Sequence, residues 1–221
     1  MAPALRPRHV RGRTGENGSS TIARVSRRTP RRLAARDLAL VATFAALIAV
    51  LGIPGQLYVL GNAVPITLQT LGVMLAGSVL GWRRGALATL VVIVLAAAGL
   101  PVLAGGRGGL SVFAGPTVGY LLAWPLGAAV TGWIVERRLP RYSPVTGFVA
   151  NLVGGVAVVY AIGVPVQAAV TGTSNLLAIA VASLVFLPGD LLKALVATTV
   201  AAGIHRGYPA VAPRRELAAR R

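Results

Sequence analysis

The sequence predicts an all-α membrane protein, a bundle of six transmembrane helices with both termini cytoplasmic, and three observations carry that expectation. Only 12% of the 221 residues are charged, about half the roughly 25% of a soluble globular domain. The charges also avoid the middle: of 27, 12 fall in residues 1–37 and 6 in residues 205–221. What remains has membrane dimensions, with charge-free runs of 45 residues (38–82), 22 (85–106), 28 (108–135) and 48 (142–189). A span needs about 20 apolar residues. The runs therefore hold two, one, one and two spans, the last continuing past Asp190 and Lys193 to about Gly203.

Three segments follow: a tail (1–36), a six-helix membrane domain (37–204) and a second basic tail (205–221). The first tail holds ten Arg and one Glu among Ser, Gly and Pro, too little apolar surface to offset the entropy of ordering it. It predicts disorder, and with no apolar stretch before residue 38 it lacks the form of a secretory signal. The first span is expected over 37–53, the third over 85–100 and the fifth over 145–164. Each ends in Gly, an apolar residue and Pro, at Pro54, Pro101 and Pro165, which is stop chemistry. Pro65 and Pro116 are expected at the first turn of spans two and four, and Ser174 or Asn175 at the cap of the sixth. Stop signals closing odd helices and start signals opening even ones describe three helical hairpins turning on one face.

Orientation follows from the basic residues. Arg83, Arg84, Arg137, Arg138, Arg141 and both tails bring 20 of the 22 to one side, leaving Arg107 and Lys193. Positive loops stay inside, so that side is cytoplasmic. The aromatic residues Tyr58, Tyr160, Trp82, Trp133 and Tyr142 fall near span ends, as interfacial anchors do.

Composition also excludes function classes. A net charge of +17 can signal nucleic acid, but here it is divided between tails and cytoplasmic loops, so no nucleic-acid partner is expected, only membrane lipid. Without cysteine, disulfides and thiolate metal sites are excluded, and His9 and His205 are too isolated to hold a metal. The single lysine lies outside any phosphate-loop context. No nucleophile elbow or membrane carboxylate pair is present either, so no catalytic residue, metal or cofactor is expected.

What chemistry there is concentrates in residues 186–193. Asp190 is the only carboxylate inside a predicted span, Asp37 standing at the very start of the first, and Lys193, the only lysine, lies three residues on, on the same helix face. A single charge at that depth costs about 2.5–3.5 kcal/mol on insertion scales, so both side chains must face protein or a cavity. Pro188 frees a carbonyl and Gly189 permits a close approach, which predicts a kink carrying an acid and a base. A structural ion pair is the competing use. The Gly105-Gly106-Arg107-Gly108-Gly109 loop reads as a mobile lid with one anion hook, or as slack with a solvated Arg. Thr67, Gln69 and Thr70 could line the same cavity or bond helix to helix, and Asn151 is equally ambiguous. In span one, Ala42 with Ala46 and Ala45 with Ala49 form small-residue stripes that another helix could meet.

Four strings carry a resemblance: 64–77 (VPITLQTLGVMLAG), 99–110 (GLPVLAGGRGGL), 115–121 (GPTVGYL) and 186–193 (FLPGDLLK). Collinear over residues 37–204, they resemble the BioY family, the biotin-binding substrate components of energy-coupling-factor transporters. The resemblance implies biotin captured from outside and delivered by docking on a transmembrane coupling subunit driven by two ATPases, with ATP used only by those partners, in the plasma membrane. It implies that Asp190, Lys193 and the loop at Gly105, Gly106 and Arg107 contact biotin. Thr67, Gln69 and Asn151, whose use stays open between cavity and helix contact, and Tyr120, within the third string, are counted as candidates beside them. It implies that the docking stripe is among Ala42, Ala45, Ala46 and Ala49. The alternatives are a substrate component for another vitamin, or a proton-coupled carrier using Asp190 and Lys193 as a relay.

Overall fold

The computed structural model describes residues 35–58, 64–139, 141–208 and 211, all within the compact unit Leu33–Arg221. The first tail of the sequence reading lies outside the described residues except for 35 and 36, and the second except for 205–208 and 211. Apolar, charge-poor stretches form the helices α1 Ala35–Val50, α2 Gln69–Leu80, α3 Trp82–Ala97 and α4 Val118–Glu136, followed by α5 Pro144–Thr171 and α6 Leu176–Gly207. No strand occurs among the described residues; β pairing is limited to isolated bridges joining Leu57 to Ile66 and Leu103 to Arg107.

Three helices, α4, α5 and α6, are long and apolar enough to cross a membrane, at 19, 28 and 32 residues. The 12 residues of α2 rise only about 18 Å at 1.5 Å each. Pro65 does not open this helix as expected. Ile66 exchanges backbone hydrogen bonds of 2.8 and 3.0 Å with Leu57, a bridge that keeps this segment out of the helix; the chain then bends at Leu68 (φ −81°, ψ −8°) and α2 begins at Gln69. Pro116 likewise precedes α4, which begins at Val118 after Thr117.

Pro165 fails as a stop signal. The helix α5 carries it internally and ends at Gly172, a left-handed residue (φ 67°), because Pro165 is exposed while neighbouring helices hold the segment on either side. Gly163 before it is a packing device: a Cβ there would strike the Tyr120 ring. Other boundaries fall as expected. Gly99 follows α3 with φ 97°, and the Asn175 side chain accepts from the Ala178 N–H at 3.0 Å at the start of α6. The break foreseen at Pro188 is present as a 3-10 turn, Leu184–Phe186.

At the centre of the bundle, α2 buries ten of its twelve residues and packs on α1, α3, α4, α5 and α6. Small residues set the spacing. A Cβ on Gly77 would lie 2.6 Å from the Ala128 carbonyl, and one on Gly154 would strike Thr131 and Gly127, so α4 meets both α2 and α5 backbone to backbone. Within α5, Leu152–Val158 is π-helical, a widened turn that shifts the facing of every residue after it. Near the opposite end from the Gly99 turn, Arg84 ties together the first helix and the segment after the last, 3.5 Å from Asp37 of α1 and donating to the Val211 carbonyl at 2.9 Å.

Candidate functional site

Three helices converge on one buried charge pair. After the 3-10 turn, α6 presents Asp190 and Lys193 on the same face, 5% and 7% exposed, with Nζ to Oδ1 at 3.0 Å. From α2, the Thr70 hydroxyl accepts from the Lys193 ammonium at 3.0 Å. From α5, beyond the π-helical turns, the Tyr160 hydroxyl donates to Asp190 Oδ2 at 2.5 Å. A carboxylate offers about four acceptor positions and an ammonium three donors. Two of each are engaged by these contacts, so hydrogen-bonding capacity remains on both groups.

That capacity borders a cavity. Its space, open mouth included, is about 730 Å³, and Asp190, Lys193, Thr70 and Tyr160 all line it. The non-helical segment 64–67 forms one wall, which is where irregular backbone at depth is tolerated. Leu103, Trp124, Val159 and Phe186 make much of the rest apolar. Tyr160 meets Tyr120 and Phe186 edge to face, at centroid distances of 6.2 and 6.4 Å. An apolar chamber with a few convergent polar groups is the usual form of a small-molecule site. Here the groups suit a ligand offering N–H donors, a carbonyl or carboxylate acceptor and an apolar body. Among the described residues no cluster of metal-ligating side chains occurs.

Several residues expected at the site are there. Thr67 and Arg107 line the cavity beside the charge pair, and Arg107 Nε donates to the Ala104 carbonyl at 3.3 Å. Tyr120 lends its ring, because its hydroxyl is turned away to Gln167 Oε1 at 2.9 Å and Ser183 Oγ at 3.3 Å. Gln69 also borders the space, but its amide is occupied. It donates to the carbonyls of Ile48 and Val102 and accepts from the Ala104 N–H at 2.8 Å, so it ties the glycine-rich loop to the bundle.

Other expectations need correction. Gly105 and Gly106 (φ 75° and 68°) are exposed and off the cavity wall; they make the left-handed turn that brings Leu103 and Arg107 into register. Asn151 is fully buried away from the cavity, accepting from Ser78 at 2.9 Å and donating to Thr198 at 3.2 Å. A Cβ on Gly189 would meet no protein atom within 4 Å, so no neighbouring backbone packs against that glycine. In α1, Ala45 is core at 4% exposure and Ala49 is half-buried, whereas Ala42 and Ala46 are exposed. The two overlapping stripes thus face different ways, and Ala45 is unavailable to another subunit. Tyr160, read as an anchor, is the residue the sequence reading missed. The signal was a lone carboxylate in an apolar span, which needs a donor from a neighbouring helix.

Comparison with known proteins places this geometry. The model of the BioY family matches residues 23–210. The chain is 46% identical over 187 residues to the biotin transporter BioY of Rhizobium etli, covering 82% of this chain and all of that protein. It is 47% identical over 188 residues to the biotin transporter BioY of Rhodobacter capsulatus, covering 79% and 95%. Among solved structures it is similar to the S-component for biotin from an ECF-type ABC transporter, with a TM-score of 0.74 and 30% identity over 77% of this chain and 91% of that one.

Proposed function

Since the chain belongs to the BioY family, a family of transporters and not of enzymes, we propose that it takes up biotin as the substrate-binding membrane component of an energy-coupling-factor transporter. The observation that carries this reading is the Asp190–Lys193 pair, buried yet bordering a cavity with donor and acceptor capacity in hand. Biotin has complementary parts: two ureido N–H groups for Asp190, a ureido oxygen for Lys193, an apolar bicyclic ring for the tyrosines and Phe186, and a tail carboxylate within the chemistry of Arg107.

The wider arrangement in this reading has six membrane crossings, with α1, α2 and α3 completed by their flanking loops, and a cytoplasmic position for both termini. Residues 1–36 and 205–221 are basic cytoplasmic extensions of a membrane domain over 37–204, set in the plasma membrane. The contacts of Arg84 with Asp37 and with Val211 support a common side for the two ends, and the basic residues gather there. Biotin enters from the opposite side, past the Arg107 loop. A transmembrane coupling subunit docks on the exposed Ala42 and Ala46 of α1, and two ATPases supply the energy, so this chain needs no cofactor of its own.

The test is direct binding by the detergent-purified chain. Biotin is expected to raise its thermal unfolding temperature and to be retained through gel filtration, while riboflavin and thiamine do neither. Retention of another vitamin in place of biotin would overturn the ligand. Wild-type biotin binding by both Asp190→Asn and Lys193→Met would overturn the site.

A further inference from the structure

We propose that the corner where α3 begins and α4 ends is a binding site for the headgroup of an anionic phospholipid. The corner is rigid. A Cβ on Gly132 would strike the backbone of Gly81 and Trp82, so the two helices touch there without intervening side chains. Glu136 Oε1 accepts from the Trp82 N–H at 2.9 Å, which turns that carboxylate to the start of α3.

On this frame two indoles stand in the open, Trp82 at 40% and Trp133 at 48% exposure. Each carries a guanidinium: Arg83 lies 4.8 Å from the Trp82 ring centroid and Arg137 3.3 Å from that of Trp133. Arg138 and Arg141 follow, and all four arginines are exposed. Arg84 pairs with Asp37 and Lys193 with Asp190, and neither pair draws on these four arginines. A guanidinium placed over an indole still has N–H groups to offer, and its fork of donors fits phosphate oxygens bidentately.

The surface leading away from the corner decides the class of partner. In α3 the exposed residues Trp82, Leu90 and Val94 recur at helical spacing, and in α4 so do Trp133, Leu126 and Leu122. Both indoles therefore cap apolar stripes running along adjacent helices. Such stripes accommodate acyl chains, with the rings at headgroup depth and the cations at the phosphate. A soluble acidic peptide or a nucleic acid matches the cations and leaves the stripes unused.

The experiment uses the full chain in detergent, titrated with phosphatidylglycerol or with phosphatidylcholine of the same acyl chains and read by native mass spectrometry. Phosphatidylglycerol is expected to be retained preferentially. One cation near an anionic lipid surface is worth about fivefold, so Arg83→Gln and Arg137→Gln should each lower retention about fivefold and the double variant more. Trp133→Leu, which removes the ring and spares the charge, should give a smaller loss. Arg206, exposed in the last turn of α6, supplies the control, with Arg206→Gln expected to change retention less than about twofold. Equal retention of phosphatidylcholine, an equal loss from Arg206→Gln, or wild-type retention by the double variant would overturn the site. All the arginines concerned are exposed, and unchanged thermal unfolding of the variants checks that the fold is intact.

Discussion

Among the buried polar groups of this bundle, the cluster around Asn151 and the cluster around Asp190 differ in whether their hydrogen bonds close. In the inner one, Ser78 donates to Asn151, Asn151 to Thr198, and Thr198 to the Ala194 carbonyl at 2.7 Å. His205 Nε2 meets the Ser78 carbonyl at 2.9 Å, and Tyr142, stacked on His205 at 5.0 Å, donates to the Thr198 carbonyl. Burial pushes the Tyr142 phenol up to about 12 despite that hydrogen bond, so it stays a neutral donor. Every link ends on protein. The cluster around Asp190 and Lys193 has comparable burial, but its groups line a cavity and keep capacity in reserve. Burial of polar groups in a membrane domain therefore does not by itself mark a site; unfinished hydrogen bonding beside a space does.

The largest effect that would break this contrast is on ligand binding. Removing one partner of a buried ion pair costs about 3–5 kcal/mol, because the other charge is left alone. Lys193→Met is expected to weaken biotin binding by at least about a hundredfold, measured by titration calorimetry of the purified chain. Loss of thermal stability with binding preserved would move Asp190 and Lys193 into the same class as the inner cluster.

Tyr160 sharpens the contrast, since it belongs to the protein yet completes the open cluster. A hydrogen bond to a charged group is worth about 1.5–3 kcal/mol. Tyr160→Phe keeps the ring packed against Tyr120 and Phe186 and removes only the bond to Asp190. Its biotin dissociation constant is expected to rise about tenfold or more, read from the same titration. An unchanged constant would mean that Asp190 is oriented by Lys193 alone.

Asn151 tests the opposite limb. Asn151→Ala strands the Ser78 hydroxyl and a Thr198 acceptor position, which costs about 1–3 kcal/mol when such groups are buried. The expected outcome is a lower unfolding temperature in detergent with biotin affinity kept within about twofold. A large loss of affinity at unchanged stability would connect the inner cluster to the site.

The sequence made the charge pair and the helix break before it legible for a simple reason. One acid and one base in an otherwise apolar span have few physical uses, and Pro188 cannot continue a helix without loss. It could not separate Gln69 from Thr67, or Asn151 from either, because a polar side chain in an apolar span serves a cavity or a helix contact equally well until the neighbours are known. Tyr160 was hidden further by the π-helical turns of Leu152–Val158, since facing counted at 3.6 residues per turn drifts once the turn widens. The proline boundaries were misread for a related reason. Pro65 and Pro165 report only that a donor is missing, and an extended wall or an exposed helix face tolerates that as readily as a terminus does.

Arg107 should show the smallest effect, and it falls between the two clusters. It lines the cavity but is only half-buried, on a loop held by Gln69, by the Leu103 bridge and by its own bond to Ala104. A charge in that position attracts a carboxylate through water, so its contribution belongs to the range of exposed pairs, about 0.2–1 kcal/mol. Arg107→Ala is expected to raise the biotin dissociation constant by no more than about fivefold at low salt. The difference from wild type should shrink as salt shortens the range of the attraction, whereas Lys193→Met, acting inside the chamber, should remain defective at every ionic strength. A salt-independent loss of a hundredfold in Arg107→Ala would instead place this guanidinium in direct, water-excluded contact with the ligand, and the loop would then belong to the closed chamber and not to its mouth.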